Sequence, residues 1–142
     1  MGNVTALFIG LGSIGTRHLK NLHAICEKQG LTLSAHALRS DLQRPLRPGV
    51  AELLAAQFIT LEDPAALPRY DMAFITNPTS LHAAALELVR GRAGALFIEK
   101  PIFSAGETGR ELADLIPAGQ KAYVAAPHAV VRGHAGAEKA PA

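Results

Sequence analysis

Short apolar runs alternate with amphipathic segments along the whole chain. The first run, VTALFIG at residues 4–10, shows no alternation of polar and apolar positions. This pattern is typical of a strand that is buried on both faces of a parallel sheet. Comparable runs predict six strands in all, at residues 4–10, 31–38, 58–60, 71–77, 95–99 and 121–126.

Helical periodicity fills most of the gaps between these strands. After the first strand, Leu19, Leu22, Ile25 and Cys26 recur at helical spacing, and Gly30 is placed to end that helix. Further helices are predicted over residues 50–57, after Asp63 and Pro64, over 80–91, and from the capping-box pair Ser104 and Glu107 to about residue 115. The alternation predicts an α/β fold, a doubly wound parallel sheet of the Rossmann type with helices on both faces.

The chain divides at residue 126. Residues 1–126 are expected to form one dinucleotide-binding domain, since the alternation runs through the sixth strand. Residues 127–142, PHAVVRGHAGAEKAPA, have no periodicity and are rich in alanine. We expect them to form a disordered or aberrant tail.

Composition favours a globular protein over a nucleic-acid-binding or membrane-spanning one. Hydrophobic residues make up 49% and charged residues 18% of the 142 residues, which indicates a soluble globular domain. The net charge of +2 argues against a nucleic-acid partner, and no apolar run is long enough to cross a membrane. The single cysteine excludes an internal disulfide, no metal-ligand spacing is present, and a cytoplasmic location is expected.

Three glycines follow the first strand at G-x-G-x-x-G spacing, in the stretch FIGLGSIGTRH. Gly10 would allow a tight turn, Gly12 would let a pyrophosphate approach the backbone, and Gly15 would let helix and strand pack closely. The phosphates would then lie at the positive end of the first helix. The alternative is a glycine-rich turn that holds no ligand.

The end of the second strand predicts which dinucleotide binds. A binder of the unmodified adenosine ribose usually has Asp or Glu there, whereas this chain has Arg39 and Ser40, with Asp41 one step beyond. Arginine suits a 2′-phosphate, and serine adds a hydroxyl donor. We therefore expect NADP to be favoured slightly over NAD. The alternative is a solvated basic loop.

Polar residues also follow the fourth strand. Asn77 and Pro78 leave the strand where the sheet is expected to open into a crevice, and Asn77 offers both a donor and an acceptor. His82 comes in the first turn of the next helix, facing either the cofactor or the solvent.

The fifth strand ends in Glu99, Lys100 and Pro101. A lysine at this position can donate a hydrogen bond to a substrate hydroxyl or to the nicotinamide side of a cofactor. Lys100 is therefore the candidate catalytic residue. The alternative is a surface lysine at a strand end.

The order GLGSIGTRH, ITNPTSLHAA and IEKPI resembles the glucose–fructose oxidoreductase, inositol dehydrogenase and MocA (Gfo/Idh/MocA) family over residues 4–126. The resemblance implies that one group of residues lines the pyrophosphate, namely Gly10, Gly12, Ser13 and Ile14. It implies that a second group lies along the nicotinamide half, namely Asn77, Pro78 and His82. It also implies that Lys100 contacts substrate and cofactor, beside a proline, Pro101, that is often cis.

The chain departs from the family after the sixth strand. Members continue into an α/β domain that carries most of the substrate pocket and the usual acid/base residue, whereas this sequence gives AAPHAVVRGHAGAEKAPA. We expect a truncated chain: the NAD(P)-binding half of an enzyme that moves hydride between a nicotinamide and a sugar, sugar-nucleotide or cyclitol carbon. Such a half is expected to need the second domain for substrate and to associate with itself. The alternatives are a stand-alone regulatory dinucleotide-binding module without turnover, and an inert remnant of a shifted reading frame.

Overall fold

A computed structural model describes residues 2–103, 112–125 and 130–132 of the chain. Its strands are β1 (Asn3–Ile9), β2 (Thr32–Leu38), β3 (Leu54–Phe58), β4 (Tyr70–Ile75), β5 (Ala93–Glu99), β6 (Lys121–Ala125) and β7 (Val130–Arg132). They form one sheet in the order β3-β2-β1-β4-β5-β6-β7. Strands β1 to β6 run parallel, and β7 pairs antiparallel with β6. The predicted doubly wound parallel sheet is confirmed.

Helices cover the two faces of this sheet. They are α1 (Ser13–Gln29), α2 (His82–Leu88) and α3 (Leu112–Leu115), and short 3₁₀ turns cover Ala51–Leu53 and Thr79–Leu81. Leu19 of α1 packs with Phe8 on one face, whereas Leu86 of α2 and Leu115 of α3 pack with Leu7 on the other. This division follows from the alternation of side chains along β1, since neighbouring residues of a strand point to opposite faces.

Helix α1 ends as its sequence predicts. Gly30 adopts the left-handed conformation at φ 72° and ψ 24°. Its backbone N–H donates to the carbonyl of Glu27, and the N–H of Leu31 donates to the carbonyl of Cys26. These bonds satisfy carbonyl groups that the last helical turn leaves open. Cys26 itself is 3% exposed, and burial raises the pKa of its thiol.

An aromatic row crosses the α1 face of the sheet. Phe8, Phe74, Phe97 and Tyr123 are register partners on four neighbouring strands. Their ring centroids lie 4.6, 4.8 and 5.2 Å apart, and each neighbouring pair is stacked. Stacked rings of this kind contribute about 0.5–1.5 kcal/mol per pair beyond their buried area. The row therefore ties β1, β4, β5 and β6 together just below their carboxyl ends.

The prediction of a helix over residues 50–57 is wrong. Only Ala51–Leu53 form a 3₁₀ turn, and the third strand runs over Leu54–Phe58, not over residues 58–60. Exposure alternates along this strand, with Phe58 buried and Ala55 and Gln57 exposed. Alanines make the segment look helical, but pairing with β2 supplies ladder hydrogen bonds that outweigh a propensity of less than about 1 kcal/mol per residue.

Other predicted helices are shorter or absent. No helix follows Pro64, since residues 61–66 form turns in which the Asp63 carboxylate accepts a 2.8 Å bond from the N–H of Ala65. The helix predicted over residues 80–91 is α2, which ends at Leu88, before Gly91 at φ 75°. The capping box at Ser104 and Glu107 lies outside the described residues.

The division of the chain at residue 126 stays a prediction. Within the tail predicted to be disordered or aberrant, Val130–Arg132 form β7 against β6. A strand edge supplies unpaired backbone groups, so three residues without a periodic pattern can still pair there. Residues 126–129 and 133–142 lie outside the described part of the chain.

Among the described residues, no helix is long and apolar enough to cross a membrane.

Candidate dinucleotide site

The site lies at the carboxyl ends of β1 and β4. The chain runs outward from β1 through β2 to β3, then returns to β4 and continues through β5 to β6. Strand order therefore reverses between β1 and β4, and an open α/β sheet binds its ligands in the crevice at such a point. The glycine turn (residues 10–15) leaves β1 there, and Thr76 and Asn77 leave β4 beside it.

Gly10 makes the tight turn after β1. Its φ is +92°, a conformation that residues with a side chain rarely adopt. An added Cβ would lie 2.8 Å from the Cα of Asn77 and 2.9 Å from its backbone N. Both the conformation and the close approach of the two loops therefore require glycine at this position.

Gly15 lets α1 pack against the turn that precedes it. A Cβ at this position would lie 2.4 Å from the carbonyl oxygen of Gly10 and 2.8 Å from the hydroxyl of Thr76. The same hydroxyl lies 2.7 Å from the Gly10 carbonyl and donates a hydrogen bond to it. No sequence signal indicated Thr76, since a threonine at a strand end is ordinary, yet it joins β4 to the glycine turn.

Gly12 differs from both of its neighbours in the motif. A Cβ added there would meet nothing within 4 Å. Gly12 is the N-cap of α1, and no side chain makes a capping hydrogen bond. The first N–H groups of a helix have no partner within the helix, so the start of α1 offers those of Ser13 and Ile14 to an anion. The open space over Gly12 fits a pyrophosphate lying on these groups.

Asn77 carries an unsatisfied acceptor. Its side-chain Oδ1 is buried and has no hydrogen-bond partner among the described residues. Such an atom is costly, because a buried polar group without a partner loses its hydration. A ligand hydroxyl, such as that of a ribose, would satisfy it. The backbone carbonyl of Asn77 is already paired with His82.

Of the two directions that the sequence left open for His82, the structure rules out the solvent. Its side chain is 1% exposed, so it does not lie in the solvent. Its Nε2 lies 2.9 Å from the carbonyl oxygen of Asn77, and its Nδ1 lies 2.9 Å from that of Ile102. Each ring nitrogen thus lies within hydrogen-bond distance of a backbone carbonyl, and the tautomer decides which nitrogen donates. A direct contact of His82 with a cofactor stays a prediction.

The E-K-P segment leaves β5 at the same edge of the sheet. Lys100 is exposed, and its peptide bond to Pro101 is cis. The Glu99 carboxylate lies 3.0 Å from Nε2 of His18 on α1, a partner 81 residues away that the sequence did not indicate. This pair borders a cavity of about 60 Å³. The cavity is lined by His18, Phe74, Thr76, Phe97, Ile98, Glu99 and Tyr123.

Arg39 and Ser40 follow β2, on the side of the crevice away from Lys100. The Arg39 guanidinium donates to the side-chain oxygen of Gln57 at 2.9 Å and to the carbonyl of Arg44. The Asp41 carboxylate accepts a 2.8 Å bond from the N–H of Gln43 and is used within its own turn. The two residues that follow β2 are therefore basic and polar, and the nearest carboxylate, that of Asp41, has one oxygen engaged in its own turn.

No group of histidine, cysteine or carboxylate side chains suited to a metal ion occurs in the described part of the chain.

Comparison with known protein families agrees with this geometry. A model of an oxidoreductase family, the NAD-binding Rossmann fold of the Gfo/Idh/MocA group, matches residues 4–126. The match covers the glycine turn, the carboxyl ends of β1 and β4 and the E-K-P segment. Comparison with curated proteins found no match.

Proposed function

Because the chain belongs to the Gfo/Idh/MocA oxidoreductase family, we propose that it holds a nicotinamide dinucleotide for hydride transfer to or from a sugar, sugar-nucleotide or cyclitol carbon. One observation carries the binding half of this proposal. At the G-x-G-x-x-G turn, Gly10 and Gly15 leave no room for a side chain, whereas the space over Gly12 is open. Gly10 and Gly15 thus shape the turn, and Gly12 leaves open the space where the pyrophosphate binds.

The remaining contacts extend from this turn toward β5. The dinucleotide pyrophosphate lies on the start of α1, where backbone N–H groups and the helix dipole favour negative charge. The buried Oδ1 of Asn77 accepts a hydrogen bond from a hydroxyl of the nicotinamide ribose. These contacts direct the nicotinamide toward Lys100 at the end of β5.

Lys100 is the catalytic residue of the proposal. A bound nicotinamide would supply or accept the hydride. The exposed ammonium group of Lys100 would donate a hydrogen bond to the reacting hydroxyl or keto oxygen of the substrate and so orient it. We propose that a second domain of the family type supplies the acid/base residue and the rest of the substrate pocket.

We further propose that NADP is favoured over NAD. Arg39 lies directly after β2, where a carboxylate would otherwise accept the ribose hydroxyls, and the carboxylate of Asp41 lies two residues further on, with Oδ1 engaged in its own turn. The guanidinium keeps N–H groups beyond its bonds to Gln57 and Arg44, since arginine has five N–H donors. Ser40 is exposed beside it and offers its hydroxyl to the same phosphate.

Fluorescence titration with NADPH and with NADH tests both statements. The unmodified chain should bind both and bind NADPH more tightly. Arg39→Ala should weaken NADPH binding by about 1.5–3 kcal/mol, because a hydrogen bond to a charged group is lost, and leave NADH binding nearly unchanged.

Arg69→Ala is the matched control. Arg69 is an exposed arginine whose guanidinium, like that of Arg39, donates to a backbone carbonyl, here that of Gly91, but it lies just before β4, at the amino edge of the sheet. It should change neither affinity. Equal affinity for the two cofactors would contradict the NADP preference alone, and failure to bind either would contradict the proposed function.

A further inference from the structure

Two histidines hold the backbone on either side of Lys100. His18 of α1 bonds the carboxylate of Glu99, the residue before Lys100, at 3.0 Å. His82, at the start of α2, bonds the carbonyl of Ile102, two residues after Lys100, at 2.9 Å. Since α1 and α2 pack on opposite faces of the sheet, the segment is held from both sides.

The His18 bond connects the lysine segment to the glycine turn. His18 lies in the second turn of α1, the helix whose first turn is the proposed pyrophosphate site. Its side chain is 30% exposed and that of Glu99 is 19% exposed, and the His18 ring also packs on Phe74 with centroids 5.6 Å apart. A change in the position of Glu99 relative to α1 would therefore move Lys100 relative to the pyrophosphate.

The His82 bonds connect the lysine segment to Asn77. The ring is almost fully buried, and its two nitrogens reach the carbonyls of Asn77 and Ile102 at 2.9 Å each. One side chain thus fixes the distance between the β4 loop, which carries the unsatisfied Asn77 Oδ1, and the β5 loop, which carries Lys100. Both loops lie along the proposed nicotinamide half.

We propose that His18 and His82 are positioning residues that set Lys100 and Asn77 at the spacing the nicotinamide half of the cofactor requires. This inference rests on the proposed function. Neither histidine needs to touch the cofactor, because each acts on the backbone or side chain of a neighbour of the contacting residues. A merely structural role would lower stability and affect every ligand of the domain equally.

Binding of a whole cofactor and of its fragment separates the two roles. The whole ligand is NADPH, and the fragment is 2′-phospho-ADP, which lacks only the nicotinamide riboside. Dissociation constants for both are measured on the 142-residue chain, along with its melting temperature. His18→Ala and His82→Ala should weaken NADPH binding about tenfold, the loss expected for one well-placed hydrogen bond, and leave the fragment within about twofold.

Conservative variants and controls sharpen the result. His18→Gln should restore NADPH affinity, because its amide can donate to Glu99. The one amide nitrogen introduced by His82→Gln cannot occupy both ring-nitrogen positions, so this variant should restore the affinity in part. His23→Ala, on the same helix as His18, should change neither ligand. His36→Ala, which removes another buried histidine, should lower stability without changing the NADPH-to-fragment ratio.

Two outcomes overturn the proposal: equal weakening of NADPH and fragment in His18→Ala, or no weakening of either. His18 is partly exposed, so we expect His18→Ala to keep the fold. This variant therefore tests the positioning role even if His82→Ala does not fold. If the unmodified chain binds neither NADPH nor NADH, it is the proposed function that fails. If the unmodified chain binds NADPH and the ratio is unchanged in the variants, only the positioning role fails.

Discussion

The hydroxyl of Thr76 donates a 2.7 Å hydrogen bond to the carbonyl oxygen of Gly10, 66 residues earlier in the chain. The bond joins the end of β4 to the turn after β1, across the point where the strand order reverses. Gly15 packs against both of these atoms. Three residues from two distant segments thus determine the shape of the glycine turn.

Replacing Thr76 by valine tests this bond at constant side-chain volume. Thr76→Val leaves the part-buried Gly10 carbonyl without its partner, so the free energy of unfolding should fall by about 1–3 kcal/mol. Urea denaturation measures the change. Thr32→Val is the control, since Thr32 is exposed on β2, and it should shift stability by no more than about 0.5 kcal/mol. An equal effect of the two substitutions would contradict the role of the Thr76 bond.

Gly15→Ala should destabilise the domain despite improving helix propensity. The added Cβ would lie 2.4 Å from a backbone oxygen, so α1 or the turn must move. Alanine gains about 1 kcal/mol over glycine in a helix interior, but overpacking typically costs about 1–3 kcal/mol, and here the opposing atom is backbone. Thermal melting should show a lower midpoint together with weaker dinucleotide binding. A higher midpoint would show that the packing at this turn is looser than the distances indicate.

Stability should fall as the pH is lowered through the range of a histidine. His36 is buried, its Nδ1 lies 2.8 Å from the Tyr70 hydroxyl, and that hydroxyl accepts a hydrogen bond from the N–H of Leu67. Burial lowers the pKa of His36. The unfolded chain therefore binds a proton at a higher pH than the folded chain does, and stability is lost as the pH falls below about 6.5.

The midpoint of urea denaturation, measured at several pH values from about 8 down to about 5, gives this dependence. His36→Leu should flatten the curve in that range, because the titrating group is removed, whereas His23→Leu should leave it in place. A curve for the unmodified chain that rises toward acid pH would contradict the buried neutral state of His36.

The 142-residue polypeptide should bind cofactor without turning over sugars. Hydride transfer needs the substrate carbon held about 3–3.5 Å from the nicotinamide, and a positioned acid/base typically contributes a factor of about 10²–10⁴. The exposed Lys100 alone supplies neither in full. Cofactor should raise the melting temperature, while a panel of sugars and cyclitols leaves the nicotinamide absorbance constant. Turnover that disappears in Lys100→Ala would contradict this prediction and locate the activity.

The sequence predicted the parts of the fold that depend on local patterns. Apolar runs located β1, β2, β4, β5 and β6, and the glycine spacing located the turn, because each needs only its own few residues to be recognised. The third strand was predicted at residues 58–60 and lies at Leu54–Phe58, because alanines at residues 51, 55 and 56 resemble a helix and only pairing with β2 makes the segment extended.

Contacts between distant residues could not be predicted in this way. The partner of Glu99 is His18, 81 residues away, and nothing near either residue indicates the other. The aromatic row and the Thr76 bond likewise depend on the register of neighbouring strands. For His82 the helical spacing allowed a direction toward the cofactor or the solvent; the ring is buried between the carbonyls of Asn77 and Ile102, which excludes the solvent.

Calorimetric titration with NADPH of the unmodified chain beside Gly12→Ala tests the central claim most directly. Gly12 has φ −73° and open space at its Cβ position, so alanine fits the folded chain and should change its stability by no more than about 1 kcal/mol. The added methyl group would occupy the space that the pyrophosphate needs. We expect saturable binding by the unmodified chain and binding at least about tenfold weaker by Gly12→Ala, with nearly equal melting temperatures. Equally tight binding by the two proteins would contradict the assignment of this turn as the dinucleotide site.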